Sequence, residues 1–241
     1  MRAFTLSIIV PFYNEEKTIA TIVKRLINLH TPFIQTEIIL VDDASTDRSK
    51  AIVDKLISGS MQSSRVSHEH NQGKGAAVRT GLTYATGDYV LIQDADLEYD
   101  PKYIPLLVSP VVEGVAEVVY GTRLKRLPNF KRDERTLLFF SHYVGNRLLS
   151  FITTLLYGQW LTDMETCYKL FPRKAFDGVK LEATGFELEP EITAKLLKKG
   201  YRIKEVPIST NPRGYEDGKK LHTLRDGAKA LWTLVKYRFI T

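Results

Sequence analysis

The stretch Leu6-Ser7-Ile8-Ile9-Val10-Pro11-Phe12-Tyr13-Asn14-Glu15-Glu16 holds an apolar run that ends abruptly in a polar, acidic turn. A short, nearly continuous apolar run reads as a strand covered on both faces, the kind found in parallel sheets. Residues 17–29 follow with Ile19, Ile22, Val23, Leu26 and Ile27 at helical spacing. The alternation recurs, with further strands expected at 37–41, 65–69 (the weakest), 89–93 and 117–120, and helices at 47–57, 74–85 and 103–112. This order predicts an α/β fold: an open, doubly wound, mostly parallel sheet flanked by helices. Ligands of such sheets bind outside the carboxyl ends of the strands. Polar residues gather there: Asn14 and Glu15 after the first strand, Asp42 and Asp43 after the second, Asp94 and Asp96 after the fourth, Arg123 after the fifth.

Working outward, the second half changes character. Residues 123–135 hold six basic side chains (Arg123, Lys125, Arg126, Lys131, Arg132, Arg135) against Asp133 and Glu134. Residues 137–161 then carry 15 apolar side chains in 25 and one charge, Arg147. The tail places Ala228, Leu231, Trp232 and Val235 on one helical face. With no linker or repeat, the 241 residues read as a single domain with a helical C-terminal elaboration, divided functionally into 1–123 and 124–241. The composition, 44% hydrophobic and 26% charged, is globular and excludes disorder or a disulfide scaffold. One cysteine, Cys167, forms no internal bridge and points to a reducing compartment, and it is expected in the core. The start of the chain lacks a signal-peptide pattern. An excess of 34 Lys and Arg over 28 Asp and Glu favours an anionic partner.

Asp94-Ala95-Asp96 sets two carboxylates at a strand end, where mutual repulsion favours a cation; oxygen ligands of this kind suit Mg²⁺ or Mn²⁺ shared with a substrate phosphate. In Asp42-Asp43-Ala44-Ser45-Thr46-Asp47 any one of the last three residues can cap the helix that follows. Asp42 and Asp43 are not needed for capping and suit a nucleobase imide or a ribose hydroxyl. The turn Asn71-Gln72-Gly73-Lys74-Gly75 opens a helix but fails both the dinucleotide fingerprint and the P-loop spacing. It presents Lys74 either to a phosphate or to solvent. No zinc set or nucleophile elbow is present, and His68 and His70 read as exposed.

In order and spacing, residues 11–16, 41–47, 71–75 and 94–96 resemble glycosyltransferase family 2. Gly121-Thr122-Arg123, the run Thr162-Asp163-Met164-Glu165-Thr166-Cys167-Tyr168-Lys169, Glu205-Val206-Pro207-Ile208, and Arg213 with Gly218-Lys219-Lys220 resemble its polyprenyl-phosphate branch, which includes dolichyl-phosphate mannose synthase and dolichyl-phosphate β-glucosyltransferase. The resemblance implies a GT-A fold, a UDP- or GDP-hexose donor, Mg²⁺ or Mn²⁺, and polyprenyl or dolichyl phosphate as acceptor. It implies that Pro11, Tyr13, Glu15 and Asp42 hold base and ribose with Asp43 in support, and that Lys74 lies near the nucleotide. Asp94 and Asp96 would hold metal and diphosphate, with Glu98 as a third metal ligand. Arg123, Arg132, Arg213, Lys219 and Lys220 would face phosphates.

A lipid phosphate with a second pKa near 6 is already a nucleophile at neutral pH and needs no base. An alcohol acceptor needs one, and Asp163 or Glu165 are the candidates; Asp163 could instead orient Arg123. Single displacement implies an inverting hexosyltransferase. Many members of the branch carry C-terminal membrane-spanning helices. None follows here before Thr241, so either a separate anchor protein or peripheral contact through residues 123–161 and the C-terminal helix is expected, on the cytoplasmic face of a membrane. The remote alternatives are a sugar nucleotidyltransferase, which would want its Gly-rich loop after strand one, and a basic nucleic-acid-binding domain, for which no module is present.

Overall fold

The computed structural model describes residues 3–31, 34–124, 137–211 and 223–240, and in the two helices that open at 137 and 223 it describes side chains from 143 and 225 onward. Seven strands form one sheet: β1 (Phe4–Phe12), β2 (Ile34–Asp42), β3 (Ser63–Ser67), β4 (Tyr89–Ile92), β5 (Val118–Thr122), β6 (Lys169–Pro172) and β7 (Ile203–Pro207). Their order is β3-β2-β1-β4-β6-β5-β7. Every pairing is parallel except those of β6 with β4 and β5.

The helices are α1 (Ile19–Ile27), α2 (Ser49–Ile57), α3 (Lys74–Tyr84), α4 (Ile104–Val112), α5 (Leu137–Tyr157), α6 (Leu188–Lys198) and α7 (Thr223–Phe239). Side chains alternate across β1, and this explains why both sides of the sheet are covered. Leu6, Ile8, Val10 and Phe12 pack with Ile22 and Leu26 of α1 and Leu107 of α4. Ile9 points the other way, with Ala77 and Val78 of α3 and Ile192 and Leu196 of α6. The sheet is thus doubly wound, as its alternating sequence pattern predicts.

Two strands and a helix lie where no regular element was expected. β6 and β7 complete the sheet from the second half of the chain, so residues 169–207 are part of the framework, ahead of the helical end. β6 escapes a hydropathy reading because it opens with Lys169 and closes with Pro172. The Lys169 ammonium is fully buried and held by Glu189 at 2.7 Å, by the Met164 carbonyl at 2.9 Å and by the Thr166 carbonyl. Glu189 and Glu191, both buried, likewise hide the apolar stripe of α6.

β2 and β4 flank β1 on opposite sides, so the strand order reverses between the parallel neighbours β1 and β4 and leaves a crevice at their carboxyl ends. Among the described residues, the non-glycine residues at positive φ are Asn14 (56°), Ala44 (63°) and Leu97 (64°). One follows each of β1, β2 and β4. Such strained positions persist where surrounding contacts hold them and cluster at functional sites. Here Asn14 accepts from the Thr46 amide at 2.8 Å, and the Glu15 amide donates to Ser49 Oγ at 2.8 Å, tying the first two loops together.

Candidate active site

A cleft of about 540 Å³ opens at this switch point. Of the residues singled out in the sequence, Pro11, Tyr13, Glu15, Asp43, Lys74, Asp94, Asp96, Glu98, Arg123 and Glu165 line it. Arg132, Arg213, Lys219 and Lys220 lie outside the described residues.

Asp42 does not reach the cleft. It is 2% exposed, and its carboxylate accepts from the Ser45 amide at 2.9 Å and Ser67 Oγ at 3.3 Å. Asp43 does line the cleft, but it is saturated by the fold. Its oxygens accept from the Gln72 amide at 2.9 Å, the Gly73 amide at 2.8 Å and His68 Nδ1 at 2.7 Å. Both acids are thus hydrogen-bonded within the fold, Asp42 by Ser45 and Ser67 and Asp43 by His68 and the Asn71–Gly75 turn. His68, expected to be exposed, is buried between Asp43 and Thr80. The glycines of the turn serve packing. A Cβ on Gly73, whose φ is 92°, would overlap the Thr184 carbonyl, and one on Gly75 would overlap Ala183.

That docking aims Lys74 inward. Its ammonium lies 2.7 Å from Asp94 Oδ1, 3.2 Å from Glu189 Oε1 and 3.1 Å from Cys167 Sγ. Burial opposes the charge on Lys74, and Asp94, Cys167 and Glu189 together outweigh it, so the lysine is held well above the ordinary lysine range. Burial likewise pushes Asp94 up, but Lys74 wins and holds its carboxyl down. Cys167 is a cleft residue as well as a neighbour of the core. Glu189 of α6, which bridges Lys74 and Lys169, was missed because an acid between Glu187 and Glu191 reads as part of a solvated acidic run. Tyr99, Asn146 and Phe186 of the lining were missed too. No motif or periodicity marked them.

The loop after β4 presents Asp94 and Asp96, anchored by buried Gln93, which donates to the Asp94 and Tyr99 carbonyls at 2.9 and 3.0 Å. The chain turns at Leu97, and the Glu98 amide donates to Asp96 Oδ1 at 3.0 Å. Among the described residues no three acidic, histidine or cysteine side chains form a ready-made metal cluster, and Glu98 lines the same cleft as Asp94 and Asp96. Two carboxylates at a cleft rim still fit a Mg²⁺- or Mn²⁺-sized cation, because such ions take one or two carboxylates plus substrate phosphate oxygens.

Across the cleft, Asp163 grips Arg123. Its oxygens accept from Arg123 N at 2.9 Å, Nε at 2.8 Å and Nη2 at 2.8 Å, and from Asn146 Nδ2 at 2.8 Å. Glu205 of β7 accepts from the Thr162 and Asp163 amides and fixes the loop. Asp163 is fully buried. Burial favours its neutral form, but Arg123 overrides this and holds its carboxyl below the usual range. Of its two expected roles, orienting Arg123 is the one its contacts serve. An enclosed, depressed carboxylate spent on a guanidinium is a poor base. Glu165 is the opposite case. Burial and nearby Glu189 and Asp163, against Lys169 and Arg123, leave its carboxyl pushed up to about 7.

The sheet order and the cleft at its switch point define a GT-A fold. The glycosyl transferase family 2 pattern matches residues 7–179, and the chain belongs to that family. Over 220 residues it is 34% identical to the UDP-N-acetylglucosamine--dolichyl-phosphate N-acetylglucosaminyltransferase of Methanococcus voltae, across 84% of either chain. It is 30% identical over 239 residues to the low-salt glycan biosynthesis hexosyltransferase Agl6 of Haloferax volcanii, across 98% of this chain and 53% of that one. Glucosyl-3-phosphoglycerate synthase from Mycobacterium tuberculosis, solved in complex with Mn²⁺, uridine-diphosphate and phosphoglyceric acid, superposes with a TM-score of 0.73 at 20% identity, across 99% of this chain and 80% of that one.

Proposed function

We propose that the protein moves one sugar, with inversion, from a UDP-sugar to the phosphate of a polyprenyl or dolichyl phosphate lying at a membrane surface. The observation that carries this reading is the Arg123–Asp163 clamp. A cation is locked into the cleft opposite Asp94 and Asp96, and the carboxylate that would otherwise serve as base for an alcohol is committed to holding it. The Methanococcus voltae relative, named for a UDP-sugar and dolichyl phosphate, supports both substrates.

In this reading Pro11, Tyr13, Glu15 and Asp43 shape the base and ribose pocket. Asp94 and Asp96 would hold Mg²⁺ or Mn²⁺, which supplies charge neutralisation at the departing diphosphate. Lys74, already inside the cleft, adds positive charge on the same side. Arg123 directs its guanidinium at phosphate, and because Asp163 uses only Nε and Nη2, Nη1 is left for a ligand oxygen. Charges fixed in place before the reaction are most effective at stabilising charge that develops in it.

Membrane contact has its own support. The inner face of α5 packs through Leu149, Leu156 and Tyr157 onto Leu234 and Tyr237 of α7. The outer face leaves Val144, Leu148, Phe151 and Leu155 exposed, and α7 adds Trp232 and Phe239. Contiguous exposed apolar side chains mark an interaction surface. No helix among the described residues is long and apolar enough to cross a membrane, so this surface would lie in the lipid interface, where apolar side chains bury among acyl chains.

A second reading, a hydroxyl acceptor, is favoured by one observation: Glu165 lines the cleft with a carboxyl that titrates near neutral pH, as a general base should. Incubation with labelled UDP-N-acetylglucosamine, UDP-glucose or GDP-mannose, Mn²⁺ and polyprenyl phosphate separates the readings. Label should enter the organic-extractable lipid with a UDP-sugar. Label in lipid with none of the three donors would sink the reading.

A further inference from the structure

Glu165 sits in the loop ahead of β6, one residue from Met164, whose side chain is fully buried. Its Oε1 is buried and has no hydrogen-bond partner, while the side chain as a whole lines the cleft. Buried polar atoms nearly always find a partner, so an orphan at a cleft needs a reason. An ionised carboxylate would leave a charged oxygen stripped of water with no donor in return, which is strongly unfavourable. A neutral acid resolves the conflict: the carbonyl-type oxygen is the cheap one to bury, and the hydroxyl goes to the oxygen left to face the cleft.

The charged surroundings are mixed. Burial is the largest influence and disfavours the anion, as do Glu189 of α6 and Asp163 of the same loop, and together they prevail over Lys169 of β6 and Arg123 after β5. Lys169 is already paired with Glu189, and Arg123 with Asp163. Neither cation is left to neutralise Glu165.

Building on the lipid-phosphate reading, we propose that Glu165 is a specificity-determining residue of the acceptor subsite, which as the neutral acid donates a hydrogen bond to an oxygen of the acceptor's phosphate monoester beside Arg123. Arg123 supplies charge and Glu165 a proton-bearing donor. A dianionic phosphate next to Glu165 raises its proton affinity further, so binding above neutral pH draws a proton from solvent onto the carboxyl. The acceptor itself takes none, since its second pKa is about 6. An acceptor that reacts through a hydroxyl makes the reverse demand, because a base must enter ionised and leave protonated.

The test is calorimetric titration of farnesyl phosphate into the Mn²⁺–UDP-loaded protein at pH 8 in two buffers of unlike ionisation heat, paired with acceptor KM from pH 6.5 to 9. The wild type should take up most of one proton on binding, and its KM should rise toward about tenfold per pH unit above 7. Glu165→Gln, always neutral and still a donor, should take up none and keep a flat KM. Glu165→Ala should bind about tenfold or more weakly at pH 6.5, since a bond to a charged group is lost. Glycerol 3-phosphate should show the same proton uptake if the phosphate monoester is what is read, whatever it is attached to. Equal uptake in wild type and Glu165→Gln overturns the proposal and leaves the lipid-phosphate reading standing. A kcat loss above a hundredfold in Glu165→Gln, with KM unchanged, makes Glu165 a base and overturns both. So does failure of farnesyl phosphate to bind the wild type.

Discussion

The two walls of the cleft are built on opposite plans. On the β1–β2–β4 side the fold supplies partners for its acids in advance: Asp42 takes a backbone amide and a hydroxyl, Asp43 two amides and a histidine, and Asp94 a lysine ammonium. On the β5–β6 side, Arg123 is clamped but keeps Nη1, and Glu165 Oε1 has no partner at all. Preorganised polar groups recognise a fixed shape at little reorganisation cost, while an unsatisfied one is stabilised by whatever ligand completes it. The contrast suits a wall that receives the same nucleotide every cycle and a wall that must tell one nucleophile from another.

If the contrast is right, substitutions on the two walls should fail in different ways. The largest effect belongs to Asp96→Ala, expected to lower kcat by about 10³-fold with an unchanged thermal midpoint, in an assay at saturating donor. Asp163→Asn comes next. It leaves the enclosed face of Arg123 without its counter-charge and should cost about 3 kcal/mol of stability in denaturant melts. Activity should fall with it, and Arg123→Lys with Asp163 intact should also lose activity, because the bidentate grip needs a planar fork.

Glu165→Gln should move the other way. The folded carboxyl titrates near 7, against about 4.3 in an unfolded chain. The folded protein therefore binds more protons between those values, and its stability falls as pH rises through that window. Removing the charge should stabilise the protein at pH 8 by on the order of 2 kcal/mol, with the gap closing by pH 4, read from paired melts. The smallest effect on folding is expected for Leu155→Glu with Trp232→Glu, since both side chains are mostly exposed, at 69% and 61%. Stability should change by less than about 0.5 kcal/mol, while co-sedimentation with anionic lipid vesicles should drop severalfold.

The same asymmetry governs what was legible in the sequence. Strands β1, β2, β4 and β5 and helices α1 to α4 carry enough apolar residues to be read, β3 (Ser63–Ser67) is the weak one with Val66 alone, and the ends of all nine fall within a few residues of expectation. The D-x-D pair and Arg123 were legible because they follow those strands. Lys169, Glu189 and Glu191 were not, because buried charge looks like surface until its partner, 20 residues away in the case of Lys169 and Glu189, is known. The hydrogen bonds that hold Asp42, Asp43 and His68 were hidden for a related reason. Their partners are three backbone amides, the Ser67 and Thr80 hydroxyls and, for Asp43 and His68, each other, and no spacing in the sequence marks which of these groups meet. Glu165 and Asp163, two residues apart, were both candidates for a base. Only the geometry separates a carboxylate spent on Arg123 from one with an orphan oxygen.

Phosphorus NMR of the reaction product tests the account most directly. With a UDP-sugar, Mn²⁺ and farnesyl phosphate, the phosphomonoester resonance should give way to a phosphodiester coupled to an anomeric proton, with the configuration at that carbon inverted from the donor. An unchanged phosphomonoester resonance, with the sugar released to water or attached to a hydroxyl instead, would contradict it.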